Sequence, residues 1–457
     1  MAHNPFYHRG PVRESSAFFD RQQETHQIAD LLRVSQSVSI VGPRRIGKTS
    51  LLYHLRAPEV RAAHGLLSPQ HLFASVNAEG MGQASLTDVY ALLLDALHDA
   101  LCESGLAMLW DGEAGAADYR RLNSTLKTLS QHGTTVAFFV DEFELLASNH
   151  NLDPSFFSGL RGLATRYAVS YVVTSQRPLI SLAYADQSVL SSPFFNVFVT
   201  LTLGLFEPGS ARDMLTTLWT QDAAQLPQRA LDAVLELAGP HPFFLQVAAY
   251  HAYELAQTLT SPQAGRAGAA WTAQQTAQLA DAFYGDAQPH YLYAWHNLSD
   301  AERYVLANLA LAQHDPGEQE ILHQLLQQSL ILPVDSGYVC LSSSLLRFVR
   351  SQQVVDLLQA GPLVVDLRRR AVTAGAQTLK LTKTQFDLLA RLAQRPGQVA
   401  TNRELEESVW RDEYVEDPER LKAAIKHLRR AMGPWGECIV NERGVGYALR
   451  VPPGELR

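Results

Sequence analysis

One stretch limits what this chain can fold into more than any other: Gly42-Pro43-Arg44-Arg45-Ile46-Gly47-Lys48-Thr49-Ser50. A short apolar β-type run, Ser37-Val38-Ser39-Ile40-Val41, precedes it, and a helical pattern from Ser50 to Leu55 follows. Strand, glycine loop and helix in that order make the setting of a phosphate-binding P-loop. The glycines let the backbone curl so that its N–H groups point inward at a helix N-terminus, where anions are favoured. In that setting Lys48 reaches the β- and γ-phosphates and the Thr49 hydroxyl is a Mg2+ ligand. Gly42, Pro43, Arg44, Arg45, Ile46, Gly47, Lys48, Thr49 and Ser50 are therefore expected to cradle ATP or ADP with Mg2+.

A second apolar run, Thr135 to Val140, ends in Asp141 and Glu142. Carboxylates at the end of a buried strand are costly unless they have a partner or a task. Downstream of a P-loop, Asp141 is expected to hold the Mg2+ shell and Glu142 to polarise an attacking water. Capping of the next helix is the alternative. Further runs at Leu72–Val76, Ala168–Thr174 and Asn196–Leu203 alternate with helical patterns. Such alternation predicts an α/β fold with a parallel sheet and helices on both faces. The run ending at Thr174 leads into Ser175-Gln176-Arg177-Pro178. The Arg177 guanidinium suits a phosphate, and an exposed loop arginine is the competing reading.

Composition narrows the class. At 457 residues, with 46% hydrophobic and 18% charged, the chain reads as a soluble protein of two to four domains. The first ten residues, MAHNPFYHRG, hold no apolar core, and no run approaches membrane-spanning length. Cys102, Cys340 and Cys438 lie far apart without CxxC spacing, which fits a reducing cytosol. A cytoplasmic, non-membrane protein is expected. Net charge is −8, yet Gly361–Arg457 carries 17 Lys+Arg against 13 Asp+Glu, a local +4 that leaves −12 on the remainder. An acidic body with a mildly basic tail is the asymmetry of a chain in which one module meets nucleic acid.

The predicted organisation is an ATPase core over 1–207, a helical lid over 208–290, a winged-helix-like segment over 291–352, a linker over 353–362 and a final domain over 363–453. Thr260 to Gly268 is small-residue-rich and reads as a loop. Between Ser299 and Arg350, helical patterns flank a hairpin-like stretch from Ile331 to Leu341, turning at Asp335-Ser336-Gly337. Few Lys or Arg occur there, so this middle segment is expected to serve packing.

Several stretches resemble the STAND class of P-loop ATPases, close to AAA+ proteins. Phe18, Arg21 and Glu24 match its FxGRxxE motif, with Asp20 in place of the glycine. The resemblance implies that this segment, Arg21 included, lies against adenine; a polar cap before a helix is the plainer reading. Gly239-Pro240-His241-Pro242 resembles the GGxP motif of the lid, with Pro240 in place of the second glycine. There the resemblance places Pro242 near the nucleotide, while a plain loop-to-helix transition is the alternative. His241 is open to a phosphate or a packing role. The class implies an ADP-held resting state and an ATP-bound active one.

The last domain resembles the OmpR/PhoB-type winged-helix DNA-binding domain, from Leu363-Val364-Val365-Asp366 through Thr382 and Gln385 to Gly444-Val445-Gly446-Tyr447. Leu421, Ile425, Leu428 and Met432 form one apolar stripe at helical spacing. Lys422, Lys426, His427, Arg429 and Arg430 line the rest of that helix, and Asn441 and Arg443 sit in the wing. These seven residues are expected to face double-stranded DNA, with Trp410 and Tyr447 added by the resemblance. A solvated basic face on a protein-docking domain is the other reading. The function expected is a nucleotide-switched DNA-binding transcription regulator, with ATP hydrolysis as the switch, an ATP-dependent homo-oligomer and an unnamed protein signal partner. An origin-binding-like DNA loader or remodeller, or a defence ATPase that senses DNA, are the runners-up.

Overall fold

The computed structural model describes residues 4–6, 10–110, 115–180, 193–220, 226–260, 271–311, 319–335, 337–354, 356–375, 377–410 and 418–450. The chain divides into two compact units. One takes in Met1–Tyr291, His323–Leu332 and Leu341–Leu345, the other Leu292–Leu322, Pro333–Cys340 and Leu346–Arg457.

The first unit is built on a five-stranded parallel sheet of order β2-β3-β4-β1-β5. Its strands are β1 (Ser37–Val41), β2 (His71–Asn77), β3 (Thr135–Asp141), β4 (Val169–Ser175) and β5 (Phe198–Thr202). Alternation along β3 sorts its side chains to two cores. Val136, Phe138 and Val140 pack with the helices Leu86–Glu103, Tyr119–Gln131 and Pro154–Arg166. Ala137 and Phe139 join Val38, Ile40 and the helices Gln22–Arg33 and Lys48–Arg56 on the opposite face. Strands covered on both faces are predominantly apolar, and β1 and β4 are buried at every position, with only small hydroxyl residues among the polar ones. This is the α/β sandwich expected. Because β4 lies between β1 and β3, the P-loop, Asp141 and the end of β4 emerge together at the carboxyl edge, where such sheets bind ligands.

Two departures from the expected motifs have local explanations. Asp20, where a glycine was expected, has φ 63°. Asp tolerates the left-handed region better than most residues, and its carboxylate accepts from Glu207 N (3.3 Å) and Ser210 Oγ (3.2 Å), at the start of the helix Pro208–Thr220. Gly239 has φ 60°, and a Cβ there would collide with the Leu341 carbonyl. Pro240 gives up no needed donor, and its carbonyl accepts from Phe206 N at 2.9 Å. The helices Gln228–Ala238, Pro242–Thr260 and Ala273–Asn297 follow. The loop expected at 260–268 lies, from residue 261 on, outside the described residues.

The middle segment supplies the helix Asp300–Ala310 of the second unit, and the expected ribbon is present as β6 (Ile331–Val334) and β7 (Gly337–Cys340). Ser336, in its expected turn, is outside the described residues. A four-stranded antiparallel sheet follows, of order β11-β10-β9-β8: β8 (Leu357–Ala360), β9 (Leu363–Asp366), β10 (Ala371–Ala374) and β11 (Gln377–Leu379). The stretch 353–362, expected as a linker, thus carries β8, with Leu358 opposite Val365. Then come the helices Lys383–Ala393, Asn402–Val409 and Pro418–Ala431. The strands β12 (Val399–Thr401), β13 (Ile439–Glu442) and β14 (Gly446–Leu449) close the domain as a three-stranded sheet of order β12-β14-β13. Thr382 and Gln385 form the expected capping box.

Strand parity reveals a joint. Leu363 and Val365 enter the domain core, so Val364 and Asp366 point the other way, yet both are buried too. Asp366 Oδ2 accepts from the Tyr304 hydroxyl at 2.6 Å, and Oδ1 accepts from Arg369 N at 3.0 Å. The Arg368 and Arg369 guanidiniums lie 4.6 and 5.4 Å from the Tyr304 ring centroid. Burial, then the bond to Asp366, pushes the Tyr304 hydroxyl up to about 12, which keeps it a neutral donor. The helix Asp300–Ala310 is thereby fixed to the sheet of the last domain. Tyr304→Phe leaves a buried carboxylate short of a donor, and we expect it to cost about 1–3 kcal/mol of stability. Chemical denaturation of the full chain checks this; a change within experimental error would mean that Asp366 finds another donor.

Candidate nucleotide site and DNA-binding surface

The P-loop spans the end of β1 and the start of the helix Lys48–Arg56. Gly47 takes φ 103°, a conformation that glycine adopts without strain. At Gly42 a Cβ would stand 2.7 Å from the Leu203 carbonyl, because the loop is pressed against the end of β5. Lys48 Nζ donates to the carbonyls of Gly42 (2.8 Å) and Pro43 (3.0 Å). Burial lowers its pKa, while Glu144, Asp141 and Glu142, in that order, oppose the shift. Three carboxylates therefore act on the P-loop ammonium, one more than the sequence pattern anticipated.

Thr49 Oγ1 donates to Asp141 Oδ2 at 2.7 Å, which brings the two expected Mg2+ ligands together. Oxygen donors of this kind are what Mg2+ takes from protein, so the residues present fit the ion. The other oxygen, Oδ1, accepts from Thr174 Oγ1 at 2.5 Å, and that hydroxyl in turn accepts from Glu142 N at 3.0 Å. Thr174 is fully buried at the end of β4. It had no place in the sequence reading, where a hydroxyl in an apolar strand is unremarkable. Glu142 leaves the strand with φ 54°. Glu144 Oε1 accepts from Gln176 N at 3.2 Å, whereas its buried Oε2 has no hydrogen-bond partner. Burial, the largest influence, raises the Glu144 pKa.

The remaining expected residues fall around this centre. Arg177 is exposed just past β4, and its carbonyl accepts from Ser175 Oγ at 2.7 Å. Ser50 Oγ accepts from Val12 N at 3.0 Å. Arg45 holds φ 65° and stands 5.1 Å from the Phe243 ring centroid. Arg21 is buried, and its guanidinium reaches the carbonyls of Gly204 (2.5 Å), Leu205 (3.4 Å) and Ile46 (3.5 Å) and the Glu24 carboxylate (3.3 Å). It ties the P-loop to the segment after β5. Pro242 opens the helix Pro242–Thr260. His241 beside it is buried, and burial, aided by Arg21 and His290, pushes it down to about 3. A neutral imidazole supplies no cation for a phosphate, which favours the packing role.

In the last domain Leu421, Ile425, Leu428 and Met432 are all buried, as their spacing predicted. Lys426, His427 and Arg430 are exposed, as are Asn441 and Arg443 in the wing. Lys422 is exposed and paired with Glu419 at 2.7 Å. Trp410 is half-buried under the Arg420 guanidinium, 4.4 Å from the ring centroid. Gly444 turns the wing at φ 76°, and a Cβ on Gly446 would collide with the Ala400 carbonyl. Two expected DNA contacts are engaged internally instead. Arg429 donates through Nε (3.1 Å) and Nη2 (2.6 Å) to the Ile439 carbonyl, and the Tyr447 ring is buried in the core. Helix periodicity shows which side a residue occupies, not which carbonyl waits there.

Fold and sites together define a P-loop NTPase joined to a winged-helix DNA-binding domain. Residues 27–283 match the family described as Novel STAND NTPase 2, and residues 376–449 match Transcriptional regulatory protein, C terminal. The chain belongs to the Novel STAND NTPase 2 family. Among curated proteins it is 33% identical over 104 residues to the transcriptional regulatory protein AfsQ1 of Streptomyces coelicolor, covering 22% of this chain and 46% of that one. It is 34% identical over 102 residues to the sensory transduction protein RegX3 of Mycobacterium bovis, covering 22% and 45%. The chain thus spans a little under half the length of these relatives. In fold it is similar to the Walker-type ATPase of Pyrococcus abyssi (TM-score 0.53, 14% identity, 76% of this chain and 99% of that one). The ORC2 protein of Aeropyrum pernix is similar too (TM-score 0.50, 14% identity, 76% and 96%). Among the described residues no helix is long and apolar enough to cross a membrane.

Since Arg429 is engaged at Ile439, Arg429→Ala should lower the stability of the domain by about 1–3 kcal/mol. The slope of DNA affinity against salt should stay unchanged. A slope smaller by about one would identify Arg429 as a phosphate contact after all.

Proposed function

We propose that the protein is a nucleotide-switched, DNA-binding transcription regulator. The observation that carries the reading is the 2.7 Å meeting of Thr49 and Asp141 beside the P-loop, in a chain whose last domain exposes a basic helix and wing. ATP or ADP occupies the loop from Gly42 to Ser50, and Lys48 turns from the Gly42 and Pro43 carbonyls to phosphate oxygens. Thr49 and Asp141 hold Mg2+, which neutralises phosphate charge when bound. Glu142 polarises the attacking water and Arg177 reports on the γ-phosphate. Arg21 and Pro242 shape the base end of the site. Hydrolysis then acts as the switch between states of different DNA affinity.

On the DNA side Lys426 and Arg443 read bases, while Lys422, His427, Arg430, Asn441 and Trp410 position the domain on the backbone. Association of several copies with ATP would place their winged domains on a repeated site, and avidity would make binding steep. A separate protein partner supplies the signal.

Three measurements test this. Lys48→Ala removes the main fixed cation of the phosphate site, so nucleotide titration of the variant should show no tight binding; retained micromolar ATP affinity would defeat the P-loop assignment. Lys426→Ala or Arg443→Ala should each cost about 1–3 kcal/mol on the specific site and relax preference at one base position. Genome-wide occupancy of the wild type and the Lys48 variant, side by side, should show defined sites that the variant loses. Rings or filaments on any DNA would indicate a loader instead.

A further inference from the structure

The helix Pro418–Ala431 carries one carboxylate among its cations. Its sequence holds Arg420, Lys422, Lys426, Arg429 and Arg430 as well as His427, and Glu419 alone is acidic. At 3.6 residues per turn Glu419, Lys426 and Arg430 fall within about 40° of one another, on the side away from the buried Leu421, Ile425, Leu428 and Met432. All three are exposed. Glu419 therefore stands on the face that the winged domain offers to DNA, in the first turn, the end at which a recognition helix meets base edges. Its carboxylate accepts from Lys422 Nζ at 2.7 Å, one turn on, and that bond holds the Lys422 pKa above its ordinary value. On the other flank the Arg420 guanidinium lies over the Trp410 ring. An exposed pair three residues apart adds little stability, and a carboxylate on this face is repelled by every phosphate it approaches. What the major groove offers such a group is a hydrogen-bond donor on a base.

We infer that Glu419 accepts a hydrogen bond from the exocyclic amino group of a cytosine in the major groove, and so selects a C·G pair at one position of the bound site. The inference rests on the reading of this domain as the DNA-binding half. Of the four bases only cytosine and adenine turn an amino group to that groove. Guanine and the thymine O4 present acceptors, which repel a carboxylate, and the adenine amino group sits beside the N7 acceptor. Lys422 holds one side of the carboxylate and keeps two further N–H groups for a phosphate. The pairing lets the acid enter the groove at a smaller electrostatic cost. Seven residues on, at 1.5 Å each, Lys426 lies about 10 Å further along the axis, over a different base pair. The helix then reads with two opposite charges, an acceptor at its start and a donor near its middle.

The test is selection of bound sequences from a pool of fully randomised duplexes by the full chain, wild type beside Glu419→Gln and Glu419→Ala. The wild type should enrich cytosine at one position, with an affinity loss of about fivefold or more when that base pair alone is changed. Glu419→Ala should flatten the preference at that position and leave the others standing. Glu419→Gln should move it toward adenine, because an amide both donates to N7 and accepts from the N6 amino group. Both variants should melt at the wild-type temperature, since the side chain they replace is exposed. Variants that bind every sequence more tightly, with the base preferences unmoved, overturn the inference and leave Glu419 as a counter-charge to Lys422 facing the phosphates. An alanine variant that still selects cytosine at every position where the wild type does overturns it as well. A wild type that binds nucleotide but enriches no sequence removes the DNA-reading function along with this inference.

Discussion

The Asp141 carboxylate is the joint on which the nucleotide half depends. A charge at the end of a buried strand must be satisfied or the fold loses several kilocalories per mole. Here both oxygens are met by hydroxyls from other elements, Thr49 at the start of the P-loop helix and Thr174 at the end of β4. The sheet order supplies both: β4 pairs with β3 on one side and with β1, which leads into the P-loop, on the other. Whatever draws on the Thr49 hydroxyl therefore disturbs a chain of bonds reaching β4, and just past β4 lie Gln176 and Arg177.

In the other unit a carboxylate that is itself buried does the same work. Asp366 is held by Tyr304 and Arg369 on the face of β9 that points away from the domain core. The winged-helix DNA-binding domain is thus fixed to the helix Asp300–Ala310, with β8 completing its sheet where a linker was expected. The exposed Lys426, His427 and Arg430 thus sit in a domain bonded to the helix before it.

Much of this was legible in the chain because the signals are local. The glycines, lysine and threonine of the P-loop placed β1 and its helix correctly, and the stripe from Leu421 to Met432 oriented the last helix. Asp141 stood out as a charge ending an apolar run. What escaped was set by partners distant in sequence. Thr174 looked like one more strand residue until its neighbour in the sheet was known. Leu357–Ala360 lies in the expected linker, and its strand form comes from pairing with Leu363–Asp366. Arg429 looked like a DNA contact because the Ile439 carbonyl is supplied by another element. Glu144 differed from any helix-start acid only in what surrounds it.

The central claim is that nucleotide and DNA binding are coupled, and coupling of binding is reciprocal. The most direct test measures the affinity of the full chain for its DNA site with ADP and with ATP, then the ratio of ATP to ADP affinity with and without saturating DNA. Both experiments should return the same factor, on the order of 5–150-fold. Equal DNA affinity in the two nucleotide states, with the nucleotide preference unmoved by DNA, would contradict the account: the two halves would then be neighbours in one chain without a switch between them.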